Sequence, residues 1–355
     1  MIETDALIIG AGPVGLFQAF QLGLLEISTH IVDALPYPGG QCVELYADKP
    51  IYDIPGLQVV TGRELIANLL GQLAPFKPQM HLGQLVSSVE QQPDGRMLVQ
   101  TSLGNRFLAK TLFIAAGVGA FQARMPNIEG LATFLGTQVH LGLPEGSPWI
   151  GRDVLVLGDT EQALNAAIRL ATQTGKPKSV SLMHRRNVFV AEQSTVATFQ
   201  TLVDSGHIRF VAGQPTGMTV TANQLKGIHY LDGDGTEQAL PADDVLVLLG
   251  LSPKLGAVAQ WGLDMERRQV KVNTETFATD HAGIFAVGDI NTYPGKKKLI
   301  LCGFHECVLA AFGAAAIVFP NKKMLLQYTT TSTRLHNLLG VDSFAGSSTP
   351  QKITL

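Results

Sequence analysis

Residues 5–33 carry the feature that most constrains this chain. An apolar run, DALIIG, leads straight into Gly10-Ala-Gly-Pro-Val-Gly15. A helical stretch follows over residues 14–25, and a second apolar run, residues 29–32, ends in Asp33. Strand, glycine turn, helix, strand and acid in that order form a dinucleotide-binding βαβ unit. Gly10 permits the tight turn, Gly12 lets the backbone approach a pyrophosphate, and Gly15 lets helix and strand pack closely; Pro13 lies within the same turn. The helix then points its unpaired N–H groups at the phosphates. Asp33 stands where a carboxylate accepts from a ribose hydroxyl. A bare GxGxxG means little in a chain with 37 glycines, but here all its flanking elements are present.

The pattern then repeats with changes. Thr61 and Glu64 have capping-box spacing ahead of a helical stretch over residues 65–76. Residues 82–116 alternate apolar and polar with turns at Pro93-Asp94-Gly95 and Leu103-Gly104-Asn105, which predicts an antiparallel meander. A second strand, turn and helix run from Asp153 through Gly158-Asp159-Thr160-Glu161-Gln162-Ala163 to residue 172. Its next strand, residues 179–183, ends in His184-Arg185-Arg186, arginines where an NAD site carries an acid. Guanidinium groups pair bidentately with phosphate, so this half suits the 2′-phosphate of NADP. Thr160 replaces the middle glycine, and its side chain is expected in the space a pyrophosphate needs. Residues 207–250 alternate again, and residues 282–289 form an apolar strand delivering Asp289.

Several classes of protein are excluded. Charged residues make up only 15% of the 355, below the roughly one quarter usual for soluble domains, and 46% are hydrophobic. That balance predicts large buried α/β cores, and the length suggests about two domains. A net charge of −3 and a pI near 6.3 give no footprint for nucleic acid. Three cysteines are too few for a disulfide scaffold and point to a reducing, cytoplasmic setting. The longest apolar stretch, residues 307–319, falls short of the about 20 residues a membrane span needs, so no membrane role is expected. No hydrolytic triad is evident. Cys302, His305 and Cys307 lack a fourth zinc ligand, so no metal is expected.

GAGPVG, the stretch GGQCVELYADKPIYDIPG, HRR and GIFAVGD together resemble the thioredoxin-reductase-like ferredoxin–NADP reductases, over roughly residues 4–340. The resemblance implies two Rossmann-like, three-layer dinucleotide-binding domains and a homodimer. A discontinuous FAD-binding domain would span residues 1–118 and 282–338, an inserted NADP-binding domain residues 119–281, and a loose tail residues 339–355. Gly10, Gly12, Pro13 and Gly15 would cradle the FAD pyrophosphate and Asp33 the adenosine ribose. Gly40, Gln41, Val86 and Phe121 would line the flavin site, with Tyr46 stacked on the ring and Asp289 near the ribityl chain. Tyr328 would cover the opposite flavin face beside Thr330. Gly158, Arg185 and Arg186 would hold NADP(H).

The implied activity is hydride transfer between NADPH and FAD, then electron transfer to ferredoxin or flavodoxin. The cofactors carry that chemistry, so no catalytic side chain is expected. Lys296, Lys297 and Lys298 form the sharpest cluster of charge and would dock the acidic acceptor. A disulfide reductase is the main rival. It is disfavoured because the chain has no CxxC and Ala47 stands where a partner for Cys42 would be. Cys302 and Cys307 read as buried thiols. Thr160 leaves a second alternative, a flavin-binding redox module with an impaired NADP half.

Overall fold

The structure is a computed structural model that describes residues 1–144, 149–322 and 324–341. It divides into two compact units, Met1–Phe121 with Pro253–Leu355, and Gln122–Ser252. In the first unit, β1 (Ile2–Ile9), α1 (Pro13–Leu24) and β2 (Thr29–Val32) form the predicted βαβ start. Proline at the first helical position suits α1, because that residue's N–H has no helical partner. The capping box at Thr61 and Glu64 is present and opens α2 (Gly62–Leu73). β3 (Gln79–His81) pairs with β2, and the meander forms as β4 (Val86–Gln91), β5 (Met97–Thr101) and β6 (Arg106–Ile114).

All of these strands share one sheet in the order β3-β2-β1-β6-β5-β4. β6 joins its two halves. Along one edge it runs parallel to β1, while on the other its first residues pair antiparallel with β5.

The second unit carries a parallel sheet. β7 (Val139–His140), β8 (Asp153–Leu157), α3 (Glu161–Thr172), β9 (Ser179–His184), α4 (Gln193–Asp204) and β10 (Arg209–Ala212) come first. An antiparallel sheet of β11 (Gln214–Thr221), β12 (Gln224–Leu231) and β13 (Glu237–Pro241) follows, then β14 (Asp244–Val247). The parallel order is β7-β14-β8-β9-β10. β8 is buried along its whole length, as a central parallel strand covered on both faces must be.

The chain returns to the first unit earlier than expected. The inserted unit spans residues 122–252 rather than 119–281. Val258, Leu263 and Val270 bury into the same core as Leu7, Phe107 and Leu112, so residues 253–281 fold with the first unit. The sequence shows a returning strand only near residue 282; the segment before it has no long periodic element to reveal its place. It contains β15 (Met265–Glu266) and β16 (Gln269–Lys271). β17 (Ile284–Ala286) then pairs parallel with the end of β6. β18 (Asn291–Thr292), α5 (Ile300–Val318) and α6 (Thr333–Leu339) follow. Of the expected tail, only residues 339–341 lie among those described.

α5 is long and apolar enough to cross a membrane by length and composition, with mean hydropathy 1.8. Here it packs on α1, burying Gly303, Cys307, Ala310, Ala311 and Ala314 on one face. It starts before the apolar run read from the sequence, taking in Cys302 and Glu306.

Candidate functional site

The C-terminal ends of β1, β2 and β6 open into a cleft. Gly10, Gly12, Pro13, Asp33, Gly40, Gln41, Tyr46, Val86, Phe121 and Asp289 all line it. Residues far apart in sequence therefore converge on one cleft. Gly15 lies just behind.

The three glycines have separable reasons. Gly10 has φ +113°, and a Cβ there would lie 2.4 Å from the Ala115 carbonyl oxygen. A Cβ on Gly15 would lie 1.9 Å from the Gly10 carbonyl oxygen, so helix and strand touch backbone to backbone. Gly12 is different. Its backbone is extended, and a Cβ would meet only the Gly40 Cα at 4.0 Å. The room beside Gly12 faces the cleft, and this is the test that a pyrophosphate fits there.

Asp33 lies at the end of β2. Its carboxylate accepts from the Ala11 N–H at 2.5 Å and from the Leu35 N–H at 2.8 Å, so it locks the glycine turn as well as lining the cleft. Burial pushes its carboxyl pKa up, and these amide bonds oppose that shift. On the other wall, the Gln41 amide donates to Asp289 at 3.2 Å. Tyr46 is half-buried, with its hydroxyl 3.5 Å from the Cys42 sulfur, and burial pushes its phenol pKa up. Gln84, which sequence reading missed, also lines the cleft. Its Oε1 accepts from Thr101 at 2.7 Å and Asn105 at 2.8 Å, which fixes the amide's orientation. A glutamine before a strand has no local signal for this; only the meander brings its partners together.

Two expected placements are not met within this chain. Tyr328 is 69% exposed, and neither it nor Thr330 lines the cleft. Both lie in the short turn before α6, where Arg334 donates to the Gly23 carbonyl at 3.1 Å. Gly23 is at the far end of α1, a helix about 18 Å long, from the glycine turn. Lys296 is the second failure. Its side chain is 6% exposed and forms an ion pair with buried Glu306, so it is not available to a docking partner. Lys297 and Lys298 are exposed, and Lys298 lines the cleft.

The cysteines are all free thiols. Residues 302 and 307 on α5 are five apart, which turns them about 140° from each other on a helix. Cys307 is fully buried, and burial raises its thiol pKa well above the ordinary value. Its sulfur donates to the Val14 carbonyl at 3.3 Å. Such a thiol is inert rather than redox-active.

In the second unit, Gly158 ends β8 with φ +153°, and a Cβ there would lie 2.3 Å from the Leu248 carbonyl oxygen. The Thr160 side chain turns back on its own helix. It accepts from the Ala163 N–H and donates to the Leu248 carbonyl, both at 3.3 Å. The Glu161 N–H is also engaged, by the Val190 carbonyl at 3.0 Å. Two amides that a bare helix start would offer to phosphate are therefore occupied within the protein. Arg185 and Arg186 are exposed just beyond β9, without an ion-pair partner among the described residues. His184 sets their turn: its Nδ1 lies 2.9 Å from the Arg186 carbonyl oxygen and its Nε2 3.3 Å from the Asp159 carboxylate.

Comparison with known proteins bears on the same constellation. The family profile described as pyridine nucleotide-disulphide oxidoreductase matches residues 4–304. A ferredoxin–NADP reductase from Albidiferax ferrireducens is 55% identical over 96% of this chain and 97% of its own length. Another from Polaromonas naphthalenivorans is 54% identical over 96% of this chain and 94% of its own. Among solved structures, a thioredoxin reductase from Gloeobacter violaceus shares the fold, with TM-score 0.57 and 20% identity. It covers 92% of this chain and 98% of its own. With relatives more than half identical along nearly its whole length and the family profile matching residues 4–304, this chain belongs to the ferredoxin–NADP reductases of the pyridine nucleotide-disulphide oxidoreductase family.

Proposed function

We propose that the chain is an FAD-dependent ferredoxin(flavodoxin)–NADP⁺ oxidoreductase. The observation that carries this reading is the cleft of the first unit, where Gly12, Asp33, Gln41, Tyr46 and Asp289 meet around one space. FAD supplies the redox chemistry when bound, accepting hydride from NADPH and passing electrons singly to a protein acceptor. The protein's own work is to bind and orient. The glycine turn and the start of α1 would hold the pyrophosphate, Asp33 the ribose, Tyr46 the ring, and Asp289 the ribityl chain. Gly158 and the pair Arg185–Arg186 would hold NADP(H). The lack of a dithiol pair argues against a disulfide reductase.

The test is anaerobic reduction of the yellow protein. NADPH should bleach it and NADH should not. Bleaching by neither would sink the reductase and favour a flavin module with a silent second unit.

Thr160 makes that second unit adjustable. Thr160→Gly should lower the Michaelis constant for NADPH several-fold, since it releases the Ala163 amide. A threonine-to-glycine cap change costs only a few tenths of a kcal/mol, so the fold should be retained. A constant or higher Michaelis constant would mean that the cap supports binding.

The acceptor would be met by Lys297 and Lys298 alone. In stopped flow at low salt, Lys297→Glu should slow reduction of an acidic ferredoxin, with the difference shrinking as salt is added. An unchanged rate would remove this docking site. The reading also includes a cytoplasmic homodimer. The exposed Leu325, Leu326 and Tyr328 support self-association, which sedimentation measures.

A further inference from the structure

α5 carries a carboxylate inside the protein. Glu306 is fully buried, a place acids almost never occupy unless paired. Its Oε2 accepts from the Gly288 N–H at 2.7 Å and the Asn291 amide at 2.8 Å. Its Oε1 accepts from the Tyr293 hydroxyl at 3.0 Å and from the Lys296 ammonium. Lys296 also donates to the Gly288 carbonyl at 2.9 Å. One ion pair thus grips both the N–H and the C=O of Gly288, the residue before Asp289.

The same helix face reaches the glycine turn. Gly303, Glu306 and Cys307 are spaced three and four residues apart and so share a face. A Cβ on Gly303 would lie 2.5 Å from the Val14 side chain and 3.4 Å from the Gly288 Cα. Gly288 has φ +79°, and a Cβ on it would meet Val14 at 3.2 Å. Val14, Gly288 and Asp289 all line the cleft.

We propose that the buried Lys296–Glu306 pair is a positioning device for the flavin site. It holds the Gly288–Asp289 turn in one conformation and ties it, through α5, to the first turn of α1. The proposal rests on the reading of the cleft as an FAD site. The choice of charged groups supports it. A buried ion pair is often no more stabilising than apolar residues of the same volume. Apolar residues would nevertheless leave the Gly288 N–H without a partner and its C=O with the Asn291 N–H alone, and the turn freer to shift. The pair therefore serves geometry more than stability, and neither side chain needs to touch the cofactor.

The experiment uses Lys296→Met, Glu306→Gln and the double variant Lys296→Met/Glu306→Leu. It measures FAD dissociation from the full chain by flavin fluorescence, the visible spectrum of bound FAD, and the melting temperature of the apoprotein. Lys296→Met strands a buried carboxylate and should both melt early and bind FAD at least tenfold more weakly. The double variant removes both charges but leaves the Gly288 N–H, the Asn291 amide and the Tyr293 hydroxyl without their carboxylate, so it should melt above Lys296→Met and below the parent while keeping the weakened binding and a shifted flavin band. Glu306→Gln keeps the shape, so it should show the shifted band with a smaller loss of affinity, including where the double variant does not fold. Any folded variant of the pair that binds within twofold of the parent with an unchanged spectrum overturns the positioning role. A parent chain that takes up no FAD overturns the cofactor reading instead, and the positioning role with it.

Discussion

A Gly12→Ala chain should melt as the parent does and yet bind FAD on the order of 100-fold more weakly. This magnitude assumes two charge-assisted bonds to the pyrophosphate lost at about 1.5 kcal/mol each. The backbone at Gly12 is extended, with φ −72°, so alanine fits without strain. Its methyl would find only the Gly40 Cα at 4.0 Å, and the change of cap costs at most about 1 kcal/mol. What the methyl enters is the space beside the helix start, where the phosphates must approach the backbone.

Gly15→Ala should do the reverse. Its methyl would lie 1.9 Å from the Gly10 carbonyl oxygen. Gly10 has no room to retreat, because it is itself pressed against Ala115. The loss should reach about 3 kcal/mol or more, the upper end for overpacking, and flavin binding should fail with the fold. Melting of the apoprotein beside a flavin titration separates the two. Equal melting losses for both variants would mean that Gly12 is structural, and would remove the strongest link between this turn and a pyrophosphate.

Replacing Arg185 and Arg186 together by alanine should raise the Michaelis constant for NADPH on the order of 100-fold, at about 1.5 kcal/mol for each lost charged bond. Turnover at saturating NADPH should change little, and the preference over NADH should collapse. The geometry favours so clean an effect. Both guanidinium groups are exposed and uncommitted among the described residues, so removing them leaves no buried partner behind. Arginine is also the side chain whose planar fork matches a phosphate. Steady-state kinetics with both nucleotides gives the answer. A parallel rise for NADPH and NADH would mean that the arginines contact the shared pyrophosphate, not the 2′-phosphate.

Much of the first unit is legible in local features of the chain. The order strand, glycine turn, helix, strand and acid is contiguous, and each part has a local cause in proline, glycine or periodicity. The capping box at Thr61 and Glu64 forms as read. Thr160 is legible as a departure, although its direction is not: the side chain folds back to cap α3 instead of standing open. Side-chain direction depends on neighbours such as Leu248, which lies far along the chain.

The misses share that cause. Lys296 sits in a run of three lysines and reads as surface charge, but it is drawn inward by Glu306, ten residues on and on another element. Glu306 sits in an apolar helix with nothing nearby to mark its role. Residues 253–281 read as part of the inserted unit because their apolar residues are sparse and aperiodic; their core partners lie on β1 and β6. Tyr328 aligns with a flavin-covering aromatic, yet Arg334 anchors the segment after it to the far end of α1.

The sequence alone is enough to identify two dinucleotide folds and the glycine turn of the first, because each rests on residues close together in the chain. Only the tertiary structure decides which lysines remain exposed and where the chain returns to its first unit. It also reveals the buried carboxylate that holds the Asp289 turn. Those outcomes depend on long-range burial, which determines whether a charge faces water or must find a partner inside.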